Sequence, residues 1–82
     1  MDDYTVNLDL SERLIEDEYP TWLSRFNSED TPTLRALFLG TMVDAIEASP
    51  EFPWKAELVD RLNRKRDRAH EAIRKSLQID PQ

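Results

Sequence analysis

The stretch at residues 31–48 most narrows what this chain can fold into, because its apolar side chains leave almost no helix face for water. Thr31 followed by Pro32 is a helix start signal: a capping hydroxyl, then proline at the first helical position, where a missing N–H costs nothing. Leu34, Ala36, Leu37, Phe38, Leu39, Met42, Val43, Ala45 and Ile46 then cover most of the circumference. Only a strip through Gly40, Asp44 and Glu47, with Arg35 and Thr41 nearby, is left polar. A helix apolar on so many sides needs neighbours on several of them. The chain has 82 residues, and two other helices of so small a chain would struggle to supply them.

Those other elements are legible as patterns. Residues 4–10 alternate strictly, with Tyr4, Val6, Leu8 and Leu10 apolar and Thr5, Asn7 and Asp9 polar, which predicts a half-buried strand or an extended arm. Nothing later alternates, so such a strand has to pair with its own copy or with another protein's sheet edge. Ser11 is a good N-cap for a helix over residues 11–27, with Ile15, Tyr19, Trp22, Leu23 and Phe26 on one face. Pro20 interrupts that stripe and predicts a kink. A polar turn, Asn27-Ser28-Glu29-Asp30, follows. Beyond the break at Ser49-Pro50-Glu51-Phe52-Pro53, a long helix over residues 53–78 carries Trp54, Leu58, Leu62, Ala69, Ile73 and Leu77 as its buried stripe, with Val59 and Ala72 beside it. There is no internal repeat and no linker, so residues 1–82 read as one domain. The expected fold is mainly α: a small bundle of three to four helices with a short N-terminal strand or arm, completed by dimerisation.

A chain this short buries a modest core and calls for extra stabilisation. With no Cys and a single His, disulfides and transition-metal staples are closed, which leaves self-association. The candidate dimer interface is Val6, Leu8, Leu37, Phe38, Met42 and Val43. The start Met1-Asp2-Asp3 is acidic where a secretory signal is basic, and the longest apolar run, residues 36–39, is too short to span a bilayer. A cytoplasmic protein without membrane association is expected.

The formal charge of −6 is unevenly placed: residues 1–30 carry net −7 and residues 61–75 net +5. In the basic segment Arg61, Arg64, Lys65, Arg68 and Lys75 recur at helical spacing and form the candidate partner-binding face. No aromatic is interleaved among them, which argues against single-strand stacking. Catalytic equipment is sparse. The sole glycine, Gly40, lies inside a helical pattern, so no phosphate-cradling loop is present. His70 has no nucleophile patterned beside it, and the consecutive acids Glu16, Asp17 and Glu18 point in different directions on a helix. No catalytic, metal-binding or cofactor-binding residue is assigned, no cofactor is expected, and no small-molecule substrate is expected.

The order of an alternating strand, a helix opening Leu10-Ser11-Glu12-Arg13-Leu14, a polar turn, and a second helix opening Thr31-Pro32-Thr33-Leu34 resembles the ribbon-helix-helix layout over residues 4–48. The resemblance implies a symmetric dimer with paired strands. Thr5 and Asn7 would read bases in the DNA major groove, and Thr31 would hold a phosphate. Asp3 and Asp9 flank those readers with the wrong charge for DNA. The leading expectation is therefore a non-enzymatic, dimeric, acidic helical protein that binds another protein, as an inhibitor, an adaptor or a small subunit. A DNA-binding regulator of ribbon-helix-helix type ranks second, and an acidic mimic of DNA third.

Overall fold

The computed structural model describes residues 3–77, which form three helices and no strand: α1 (Asp3–Arg25), α2 (Pro32–Glu47) and α3 (Lys55–Leu77). Thr31 caps α2 as its sequence predicts, with an extended backbone and its Oγ1 accepting the Leu34 N–H at 3.2 Å. Asn27, at φ 53°, ends α1: its own N–H bonds the Ser24 carbonyl at 3.1 Å, and the Ser28 N–H reaches back to the Leu23 carbonyl at 3.2 Å. Asparagine tolerates the left-handed conformation that this helix stop requires. At the far end of α2 the Lys55 ammonium donates to the carbonyls of Glu47 and Ser49, at 3.2 and 2.7 Å, placing a cation where the helix dipole is negative.

The strand or arm expected at residues 4–10 is a helix, the first two turns of α1. Over seven residues a period of two and a period of 3.6 are hard to tell apart, because both put residues i and i+4 on one side. Two facts decide the matter. No second strand exists among the described residues to take the backbone hydrogen bonds, whereas a helix satisfies them internally. The helical register also turns Tyr4, Leu8 and Ser11 toward the rest of the chain, each to a use: the exposed Tyr4 hydroxyl donates to Glu57 at 3.1 Å, Leu8 is 1% exposed, and Ser11 accepts from the Trp54 indole N–H at 3.0 Å. Ser11 is thus an interior helix residue and not an N-cap. Pro20 sits within α1 on its exposed side.

Helices α2 and α3 form an antiparallel hairpin, with Lys55 beside Glu47 at the turn and Arg66 beside Gly40 further along. A Cβ on Gly40 would lie 3.2 Å from the Arg66 guanidinium, so the polar strip of α2 is covered by an arginine that a larger residue would displace. Helix α1 lies across this hairpin, parallel to α3. The core joins Leu8, Tyr19 and Leu23 of α1 to Phe38, Leu39 and Val43 of α2 and Leu58 and Leu62 of α3. Phe38 is its aromatic centre, with ring centroids 5.1 Å from Tyr19 and 5.5 Å from Trp22.

This arrangement supplies within one chain most of the neighbours that α2 demands. Leu8, Phe38 and Val43, assigned from sequence to a dimer interface, are buried in the chain's own core, and Met42 packs against it. Val6 and Leu37 remain about half exposed. The expected stripe of α3 is buried at Leu58, Leu62 and Ala69 and runs out at Leu77, which is exposed. Phe38→Ala should lower the unfolding free energy by about 3–5 kcal/mol, followed by urea titration with circular dichroism. Leu14→Ala, on the outer face of α1, should stay within about 0.5 kcal/mol.

Candidate interaction site

Asp9, Glu12 and Glu16 are spaced three and four residues apart and so line one edge of α1, facing Arg61 and Lys65 one turn apart on α3. The Arg61 guanidinium donates to Asp9 at 2.9 Å and to Glu12 at 3.0 Å, and lies 3.8 Å from Glu57 on its own helix. Lys65 pairs with the other Glu12 oxygen at 2.9 Å and with Glu16. Glu12 is half-buried at the centre of this seam. Burial alone would raise its carboxyl, but hydrogen bonds from Lys65 and Arg61, with their positive charge, hold it below the usual carboxylate range. The hydrogen bonds to Asp9 and Glu12 push the Arg61 guanidinium's pKa up in turn.

A second polar cluster fastens the loop between α1 and α2. The Tyr19 hydroxyl donates to Asp30 at 2.6 Å, Arg35 donates to the other Asp30 oxygen at 2.7 Å, and the Arg35 guanidinium lies 4.9 Å from the Tyr19 ring centre. Burial, then the bond to Asp30 and its charge, push the Tyr19 phenol up to about 12. The hydrogen bond from Tyr19 is the main cause of the lowered Asp30 carboxyl. Beyond this cluster α1 and the second half of α3 bound an open groove of about 900 Å³, floored by Tyr19, Leu23, Phe38 and Ala69 and rimmed by Arg68.

The five basic residues singled out in the sequence are therefore divided. Arg61 and Lys65 are engaged by α1 inside the fold. Arg64 pairs with Asp60 on its own helix at 2.9 Å, Arg68 edges the groove, and Lys75 is exposed. Thr5 and Asn7, the candidate base readers, stand on α1, exposed and half-buried respectively, and not on a ribbon. Thr31 uses its hydroxyl to cap α2. His70 is exposed beside the crevice between α2 and α3. Of the consecutive acids, Glu16 faces α3, Asp17 faces outward, and Glu18 lies 3.9 Å from Arg25.

What the strand reading concealed is a second apolar stripe. With Leu8 and Tyr19 turned to the core, Val6, Leu10 and Leu14 fall on the opposite side of α1, one helical turn apart, with 45%, 49% and 69% of their surface exposed. The signal was in the sequence as an i, i+4, i+8 spacing, readable once the first residues are taken as helix. Among the described residues no helix is long and apolar enough to cross a membrane.

Comparison with protein-family models, with curated proteins and with solved structures found no match for this chain.

The seam sets a pH dependence. In the folded state the Glu12 carboxyl is held below its ordinary value of 4.5, so its contribution to stability is complete above that pH and is lost as pH falls through the lowered folded value. Asp30 acts in the same direction. Thermal unfolding followed from pH 7 down to pH 2 should therefore show a fall in midpoint for the wild type that is shallower in Glu12→Gln.

Proposed function

We propose that this chain is a non-enzymatic helical protein that acts by binding another protein, as an inhibitor, an adaptor or a small subunit of a larger assembly. One observation carries the reading: α1 is apolar on two faces, and the fold uses only one of them. The inner face is spent on the core, whereas Val6, Leu10 and Leu14 stand outside the core cluster and expose three aliphatic side chains in a row. Contiguous exposed apolar surface of this kind marks interaction sites in soluble domains. Surface leucines standing singly need no explanation, but a stripe on consecutive turns of one helix presents the i, i+4 anchors by which helices recognise one another.

Duplex DNA is disfavoured as the partner for two reasons. The paired strands required by the ribbon-helix-helix reading have no counterpart in α1, and Arg61 and Lys65 have carboxylates as partners already. A phosphate would have to displace those carboxylates in order to be neutralised by them. Self-association, expected from the apolar second helix, retains only Val6 and Leu37 as substantially exposed members of its proposed interface.

The test uses the whole chain as bait in lysate of its source cells, with and without nuclease, beside a Leu10→Lys/Leu14→Lys bait whose unfolding midpoint matches the wild type. A defined set of proteins should be retained by the wild type in nuclease-treated lysate and lost by the variant. Capture abolished by nuclease would replace the protein partner with a nucleic acid. Identical capture by both baits would remove the α1 face from the function.

A further inference from the structure

The outer face of α1 is specific in its charge as well as its apolarity. At about 100° of rotation per residue, Val6 and Leu14 stand to either side of Leu10. Asp3 and Asp17 fall within the same arc, and Glu18 and Arg13 lie on its two edges; all four are exposed. Asp3 and Asp17 make no ion pair with any described residue. Among the described residues their carboxylates frame the stripe without a cation partner, in contrast with Asp9, Glu12 and Glu16 on the neighbouring edge, which α3 has taken up.

We propose that this face is the docking site for a basic amphipathic helix of another protein. Its aliphatic side chains, at i, i+4 spacing, would press on Val6, Leu10 and Leu14, and its flanking Lys or Arg residues would meet Asp3, Asp17 and Glu18. The inference rests on the reading of the chain as a protein-binding module and adds the chemistry of the partner. Three aliphatic side chains provide much less than the ~800 Å² per partner of a stable interface, so the groups beside the stripe must join the contact and their charge decides which helix fits.

Other occupants fit less well. A second copy packed antiparallel about Leu10 would match Val6 with Leu14 but set Asp3 of each copy opposite Asp17 of the other, two like-charge contacts for one small apolar seam. An anionic bilayer would be repelled by the same carboxylates, and helices that lie in such a surface carry Lys and Arg on their polar side.

Two synthetic helical peptides of about 18 residues, with the same leucine stripe but Lys or Glu on the flanks, separate these cases when titrated into the ¹⁵N-labelled chain. The Lys-flanked peptide should shift amide resonances at residues 3–18 saturably. Its affinity should fall about tenfold or more between 50 and 500 mM NaCl, since flanking charges are screened over that range. Leu10→Ser/Leu14→Ser should abolish the shifts, and Asp3→Asn/Asp17→Asn/Glu18→Gln should weaken binding about fivefold or more while leaving circular dichroism unchanged.

Equal binding of the Glu-flanked peptide would overturn the charge assignment while leaving the protein-binding reading intact. Shifts centred on Glu16 and Asp30 would overturn it in favour of the groove, and concentration-dependent broadening at Val6, Leu10 and Leu14 without peptide would overturn it in favour of a second copy. Absence of binding by either peptide at the α1 face would sink the inference. The broader reading would fall with it only if the wild-type bait also retained no defined set of proteins in nuclease-treated lysate.

Discussion

The burial of Phe38 between Tyr19 and Trp22 is the contact on which the rest of the molecule depends. An α2–α3 hairpin alone would leave one side of an almost wholly apolar helix in water, and Phe38, 1% exposed, is the largest side chain that has to be hidden. Covering it requires a third helix carrying aromatics one turn apart, and Tyr19 and Trp22 meet that need. Once those rings are seated, the rotation of α1 about its own axis is set. Its acidic edge then falls along α3, and its remaining apolar residues turn outward.

The ionic seam follows from that placement and gives it register. Asp9, Glu12 and Glu16 meet Arg61 and Lys65 in order along two parallel helices, and sliding α1 by one turn would leave a half-buried carboxylate without its partner. Leaving a buried charge unpaired costs more than the pair itself contributes, so a seam of this kind specifies one alignment more than it adds stability. It also changes the meaning of the charge distribution. Three acids of the first segment and two cations of the last, so far apart in the chain, answer one another across the α1–α3 boundary. On α1 the seam does not reach Asp3, Asp17 and Glu18, which are exposed around Val6, Leu10 and Leu14.

The local signals were legible wherever a few adjacent residues decide the structure. Thr31 and Pro32 start α2, Asn27 ends α1, the proline-rich break separates α2 from α3, and the stripe of Leu58, Leu62 and Ala69 faces inward. The apolar wrap of α2 correctly demanded neighbours on several sides, but could not say that α1 would be one of them. Residues 4–10 were the point of failure. Alternation over seven residues fits a strand and a helix with apolar residues on both sides, and the tie is broken by contacts far along the chain: Tyr4 with Glu57, Ser11 with Trp54, and Asp9 with Arg61.

Sequence alone thus determined the helical class, the bounds of α2, the turns, and the separation of charge, because caps, prolines, periodicity and net charge act within a few residues or by simple composition. The tertiary structure decided which face of each helix is inside. It turned Arg61 and Lys65 from surface cations into a seam, and Leu8, Phe38 and Val43 from interface candidates into core. It also made the outer side of α1 the exposed apolar surface. These outcomes depend on pairings across some fifty residues of chain, as in Asp9 with Arg61, where the energy lies in matching whole faces and no local pattern carries it.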